Sequence, residues 1–378
     1  MRILLPIILL LINLTTFASS TQYLYVGNSQ YFNATQNGKR VVERFNISNP
    51  LSKGPDKIIN LTAPGSSANN NLNNQLSNDA QGNIYGGIVL KNTVYTFNSK
   101  DPQNTMKNLV PLYQETDGKY YQFPDGSWAQ TPGLFIYAND DTLYVIGNEP
   151  ADDQNTIWSY NKKDLANAKD YANLIPLQKI QLTMPEGAQA PAIMTFDNKK
   201  NMYVGFYGGY VGKYAPGETT PSVTYYLPKD PDGDNRLISQ LIITKDDIYA
   251  LSCYFVEANK VVSSYKNKLR QLFKINRADK LALRSNTATN YNLTTIYRIV
   301  KLKPNAVGED IKLYGINNDG VQSLAFDKKG NTYVDAVTYD FQGIPYSEIY
   351  KYKGTLPAKK LPISFCFPSG LVEQMVVV

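Results

Sequence analysis

Histidine does not occur anywhere in the 378 residues. Its absence excludes Ser-His-Asp and Cys-His nucleophile systems, imidazole general bases, and histidine-ligated zinc or haem. Cysteine occurs twice, at Cys253 and Cys366, which leaves one bridge or two buried thiols as alternatives. No run of five or six basic residues occurs. The 38 Lys and Arg interleave with 32 Asp and Glu for a formal net charge of +6, so nucleic acid is not an expected partner. Charged residues make up 19% of the chain, on the low side for a globular protein. After residue 20, long apolar runs are few, and no membrane insertion is expected of the mature chain.

The opening residues differ from the rest. Arg2 supplies a short positive start, Ile3 to Phe17 is apolar apart from breaks such as Pro6 and Asn13, and Ala18-Ser19-Ser20 places small residues before a cut. This pattern predicts a secretory signal peptide over 1–20, cleaved after Ser20, and a secreted or periplasmic protein. The remaining 21–378 reads as a single domain and a monomer.

What is abundant is tyrosine, with 29 residues, as suits an all-β fold whose aromatics fill pleated surfaces. The tyrosines mark a repeat: an apolar strand, a turn built on Asp, Asn or Gly, then an apolar strand carrying Tyr. It is read at Leu76-Ser-Asn-Asp79-Ala-Gln-Gly82-Asn83-Ile-Tyr85, at Asn139-Asp140-Asp141-Thr-Leu-Tyr144, and at Asp197-Asn-Lys-Lys-Asn201-Met-Tyr203. It recurs at Asp246-Asp247-Ile-Tyr249 and at Asp327-Lys-Lys-Gly330-Asn331-Thr-Tyr333. Each is a hairpin signature.

The sixth copy is divided between the two ends of the chain. Val376 to Val378 supplies the first strand, and Tyr23 to Val26 supplies the Tyr-bearing second one. A repeat divided in this way predicts a ring closed by pairing its terminal strands. From Tyr25 the marker tyrosines are 60, 59, 59, 46 and 84 residues apart. The last interval predicts one repeat with an insertion, since Arg277 to Asn286 has helix-like composition; a seventh, degenerate repeat is the alternative. The fold class is therefore all-β, a six-bladed β-propeller of four-stranded antiparallel blades.

The stretch Val321-Gln-Ser-Leu-Ala-Phe-Asp327-Lys-Lys-Gly330-Asn331-Thr-Tyr333-Val334, continuing to Ile349-Tyr350-Lys351-Tyr352, resembles the repeat of NHL-type propellers. These share a six-bladed ring with gluconolactonase-like and strictosidine-synthase-like proteins. The chain departs from the NHL pattern in lacking the usual Arg before the third strand and in its long outer loops. The resemblance implies the architecture and leaves function open, because the superfamily spans enzymes and binding scaffolds.

Six first strands aimed at one axis would gather the amides and acids at their starts into a polar ring: Asn74 and Gln75, Gln189, Gln240, Gln322, and Glu373 with Gln374. Such a ring either hydrates a channel mouth or binds a ligand. Gluconolactonase-like hydrolases hold a divalent cation on the axis with oxygen ligands alone, and Glu373 with Asn74 are the candidates for a Ca²⁺ or Mg²⁺ here. Otherwise no cofactor is expected. Asp230-Pro-Asp232-Gly-Asp234 has the alternation of a calcium loop but lacks the closing Glu, and reads as a turn. A second candidate surface is aromatic: Tyr120, Tyr121, Phe123 and Trp128 in one Gly/Pro-rich connection, Tyr207 and Tyr210 in another. No catalytic motif is found. The expectation is a non-catalytic platform binding a protein or glycan, with a metal-dependent lactonase-like hydrolase as the alternative.

Overall fold

The structure is a computed structural model that describes residues 22–29, 41–60, 76–79, 81–88, 93–102, 104–108, 135–139, 141–146, 156–167, 177–257, 293–316, 318–339, 345–354, 356, 361–366, 368 and 371–378. It is all-β; among these residues the only α-helix is α1 (Lys162–Asn167). The strands assort into four-stranded antiparallel meanders. In the first, β1 (Tyr23–Ser29), β2 (Val41–Asn46) and β3 (Lys57–Asn60) follow one another. The second holds β4 (Leu76–Asn78), β5 (Asn83–Ile88), β6 (Thr93–Asn98) and β7 (Lys107–Asn108). The third holds β8 (Phe135–Ala138), β9 (Thr142–Ile146), β10 (Thr156–Asn161) and β11 (Gln178–Gln181).

The fourth meander comprises β12 (Pro191–Phe196), β13 (Met202–Phe206), β14 (Tyr210–Tyr214) and β15 (Val223–Tyr226). The fifth comprises β16 (Leu237–Ile243), β17 (Ile248–Glu257), β18 (Leu293–Lys303) and β19 (Ala306–Ile311). The sixth comprises β20 (Val321–Phe326), β21 (Thr332–Tyr339), β22 (Pro345–Tyr352) and β23 (Ser364–Cys366). The last strand, β24 (Leu371–Val377), returns to β1 and completes the first meander. Tyr23 N donates to Val378 O at 3.0 Å and Val378 N to Tyr23 O at 2.9 Å, which fixes the register at the chain's end.

The leading strands β24, β4, β8, β12, β16 and β20 touch one another in a closed cycle, a propeller-like arrangement. Both faces of a strand therefore pack against protein. Met194 joins a core with Ile146 and Ile157 of the third meander, while its neighbour Ile193 joins one with Ile238 and Leu241 of the fifth. This is why the strands read as near-continuous apolar runs rather than alternating ones. The 84-residue interval is accounted for by β17 pairing with β18 from Tyr249↔Lys301 to Glu257↔Leu293, which places the extra length in one connection of the fifth meander. The stretch from Arg277 to Asn286 lies outside the described residues.

The marker turns explain themselves in three copies. Asp79, Asp197 and Asp327 each accept, at Oδ1, the backbone N–H of the Asn four residues on, and at Oδ2 that Asn's Nδ2 and the Tyr hydroxyl six residues on. Against the opposing effect of burial, these bonds, joined at Asp79 by the Lys162 ammonium, hold the Asp79 and Asp197 carboxyls below the usual range. One turn position needs a left-handed backbone: Gly82 (φ 79°) and Gly330 (φ 77°) supply it in two copies, and Lys200 (φ 63°) in the third.

Neighbouring meanders are also stitched through side chains. Gln240 Nε2 donates to Leu324 O at 3.0 Å, and Leu324 N donates to Gln240 Oε1 at 2.9 Å. Met375 N donates to Ser323 Oγ at 2.9 Å, and Ala138 N to Ser77 Oγ at 3.1 Å. Four leading strands bulge at one residue, Ala192, Ser239, Gln322 or Glu373, each skipped in the register with its partner. A feature with no sequence signal joins the fourth and fifth meanders at their rims. β15 pairs in parallel with β19 at Tyr226↔Val307, and Asn305 N donates to Thr224 O at 2.7 Å.

Among the described glycines, backbone meets backbone most closely before β20. A Cβ added to Gly320 would stand 2.1 Å from Val337 O, a backbone atom that no rotamer change can move. Gly320→Ala is expected to lower stability by about 3 kcal/mol, read as a lower urea midpoint at unchanged slope. An unchanged midpoint would show that the sixth meander yields at this point.

Cys253 and Cys366 stand as free, buried thiols on β17 and β23. Burial raises Cys253 to about 11. Cys366 rises to about 12, by burial first and then by the carboxylates of Glu43 and Asp335.

Candidate functional site

The leading strands end, and their first hairpins turn, at one end of the ring, called here the turn face. In an antiparallel meander the connection from third to fourth strand comes back to that same end. The opposite end carries the connections between meanders and those from second to third strand.

A cavity of about 260 Å³ lies on the axis between β4, β12, β16, β20 and β24. Its lining is mostly apolar, with Leu241, Leu324 and Met375 among it, and its polar side chains are Ser77, Asn78, Thr195 and Gln240. Gln240 is thus the one residue of the expected polar ring seen on this cavity. Both ends of its amide are engaged by the Leu324 backbone, so it acts as a clamp between strands. Gln322 is the half-buried bulge residue of β20, and Gln189 is exposed ahead of β12; neither lines the cavity. Glu373 and Gln374 lie on β24, with Glu373 at the bulge, but their side chains are outside the described residues, as are Asn74 and Gln75. Among the described residues no carboxylate lines the axial cavity, and no three His, Cys, Asp or Glu converge for a metal. The expected Glu373–Asn74 cation site falls where side chains are not described.

Of the aromatic candidates, Tyr120, Tyr121, Phe123 and Trp128 lie outside the described residues. Tyr207 and Tyr210 are half-buried at the end opposite the turn face. Gln189 N donates to Tyr207 O, and the Tyr210 ring stands edge-on to Tyr226 at 5.6 Å, under the loop containing Gly187. The Tyr210 ring packs against that loop, and burial raises the Tyr207 hydroxyl above its ordinary range. The Asp230 loop is a turn: Asp232 N and Asp234 N both donate to Asp230 Oδ1, at 2.9 and 2.8 Å.

A larger cleft, of about 480 Å³, opens on the turn face between the third and fourth meanders. No motif pointed to it. Tyr144 from β9 and Phe196 from β12 meet there with ring centroids 4.8 Å apart at 40°. Around this aromatic pair stand Asn139, Asp141 and Gln178 from the third meander and Lys200 and Glu218 from the fourth. Tyr144 and Phe196 are 52 positions apart, so only the closure of one meander on the next brings them together. Asp197 also lines the cleft, but its carboxylate is fully engaged by Asn201, Lys199 N and Tyr203. It serves the turn as a fixed anion and is poorly placed to move a proton.

No family model matches the chain, and no curated protein matches it. Solved structures do. A Bacteroides fragilis protein provisionally named a 6-phosphogluconolactonase is 13% identical, with a TM-score of 0.46 over 96% of this chain and 99% of that one. The extracellular domain of a protein provisionally named a one-component system, from B. thetaiotaomicron, is 10% identical with a TM-score of 0.39, over 94% of this chain and 36% of that one. Glutaminyl cyclase of Myxococcus xanthus is 9% identical with a TM-score of 0.33, over 56% and 77%.

Proposed function

We propose that the chain is a six-bladed β-propeller, exported behind a cleaved 1–20 leader, that serves as a non-catalytic platform for a protein or glycan. Each meander is one blade, and the β24–β1 pairing is the closure. The observation that carries the binding reading is the turn-face cleft. It joins an aromatic pair to amide and charged side chains, the composition of a recognition site, while its most buried acid, Asp197, is committed to the fold. A chain without histidine has no imidazole to supply a general base there.

The test sets the mature chain against a lactone panel with Ca²⁺ or Mg²⁺ and against arrayed glycans, with thermal unfolding in EDTA and in excess cation. Binding without turnover, and a melting temperature indifferent to cation, is the expected result. A cation that binds only the folded state would raise the melting temperature by mass action. If it did so, with hydrolysis that disappears in Glu373→Gln, the lactonase-like alternative would replace the platform.

A further inference from the structure

We propose that the turn-face cleft receives a lysine side chain from an extended segment of a partner protein, its ammonium standing where the chain's own basic residues stand in the other meanders. This inference rests on the platform reading and narrows its ligand to a protein.

The repeat itself supplies the comparison. In four meanders the residue opposite the marker tyrosine is basic: Arg44 opposite Tyr25, Lys213 opposite Tyr203, Lys301 opposite Tyr249 and Lys351 opposite Tyr333. The Lys213 and Lys351 ammoniums lie 5.5 and 5.3 Å from the centroids of their tyrosine rings, and Lys301 pairs with Asp247 at 2.6 Å. The second meander has Thr96 at this position, and the third makes up the loss. Lys162 reaches across the joint, placing Nζ 4.4 Å from the Tyr85 centroid and 2.9 Å from Asp79 Oδ2.

The third meander has Ser159 opposite Tyr144. Among the described residues no Lys or Arg stands over the Tyr144 ring. Lys162 lies three residues past Ser159; the residue three past Lys213 is Pro216, which lines the cleft. The cleft is the space that a lysine fills one joint earlier.

Its walls suit the same group. The chain has a formal net charge of +6, yet this cleft is acidic, with Asp141, Asp197 and Glu218 against Lys200. Asp197 is bound into its own turn, whereas Asp141 and Glu218 are exposed and form no ion pair among the described residues. The adjoining positions 140 and 168–176, outside the described residues, carry Asp140, Asp170 and Lys169 and do not reverse the sign. An ammonium is attracted by an aromatic face as well as by carboxylates. Ile180 and the buried Met202 offer apolar contact to the stem of a lysine. An amino sugar carries its ammonium directly on a ring and has no such stem.

The experiment follows the methyl signal of Met202, one of six methionines, in methyl-labelled protein purified after expression with its own leader. The probe is a capped glycine–serine peptide with one central lysine. It is expected to shift the signal saturably, with affinity falling as NaCl rises from about 50 to about 300 mM. Peptides with acetyl-lysine or norleucine, a neutral oligosaccharide and a glucosamine oligomer should leave the signal unmoved. Asp141→Asn with Glu218→Gln should weaken binding roughly tenfold, while Glu186→Gln, beside Gly187 at the opposite end, leaves it unchanged.

Pro216→Lys refills the cleft from within and should lose peptide binding while still unfolding cooperatively. The site tolerates the change, because Glu218 N donates to Ala215 O across a turn with Pro216 second and Gly217 (φ 82°) third. No shift from the lysine peptide overturns the inference, as does an equal shift from any of the four comparison ligands. Undiminished binding in the Pro216→Lys protein overturns it too. The platform reading fails separately, through lactone turnover.

Discussion

Asp335→Asn is expected to be more stable than the parent at pH 8 and equal to it near pH 3. Asp335 sits on β21 with no exposed surface, and neither carboxylate oxygen closes a hydrogen bond, although the Ser347 hydroxyl stands nearby. It faces the seam between the sixth and first meanders, a core that includes Val26, Tyr333, Ile349 and Met375. Glu43 of β2 is buried in that seam too, Cys366 comes from β23, and Glu348 lies on β22. Burial raises the Asp335 carboxyl well above its ordinary value; the Glu348 charge raises it further, and Ser347 opposes only in part.

The sign follows from proton counting. Between the unfolded carboxyl value and the raised folded one, the folded state holds a proton that the unfolded state has released. Stability from this group is therefore lost as pH rises through that window, at about 1.4 kcal/mol per pH unit. Asparagine has the same shape and no proton to lose, so its advantage should grow with pH. The urea-derived stability of parent and variant across pH 3 to 9 checks this, because subtracting the two profiles cancels acids such as Asp79 and Asp197 that act in the opposite direction. Parallel profiles would mean that Asp335 is ionised and compensated in the folded protein.

Ending the chain at Gly370 is expected to abolish cooperative unfolding. The deletion removes β24, unpairs one edge of β1, takes Met375 out of the core and leaves Ser323 without its Met375 N–H donor. Those losses exceed the ordinary margin of 5–15 kcal/mol only if they act together, as they do when one strand supplies them all. A synthetic peptide of residues 371–378 added in trans should restore a sigmoidal denaturation curve, because the edge of β1 is a template for it. A truncated chain that unfolds with the parent's midpoint would show that the ring does not need its last strand.

The arrangement of the chain was legible because its turns are chemical rather than merely polar. The Asp–Asn–Tyr triads at 79, 197 and 327 recur with fixed spacing, and the divided copy at the two ends follows from them. The axial site was read less well. Counting polar residues at strand starts finds Gln240 but cannot tell that the Leu324 backbone engages it, since that contact depends on the neighbouring strand's register. The turn-face cleft depends on rings from different meanders and left no local trace. Lys200 did leave one: aligned with Asp79-Ala-Gln-Gly82 and Asp327-Lys-Lys-Gly330, it stands in a glycine's place. Asp335 could not have been found, because an acid within Tyr333-Val-Asp-Ala-Val337 reads as an ordinary solvent-facing position of a strand.

The parallel bridge between β15 and β19 makes the ring an unequal hoop. Among the described residues no other pair of neighbouring meanders shares a strand pairing at the rim. The fourth and fifth are fastened at the spine by the contact of β12 with β16 and at the rim by Tyr226 and Val307. They must tilt as one leaf.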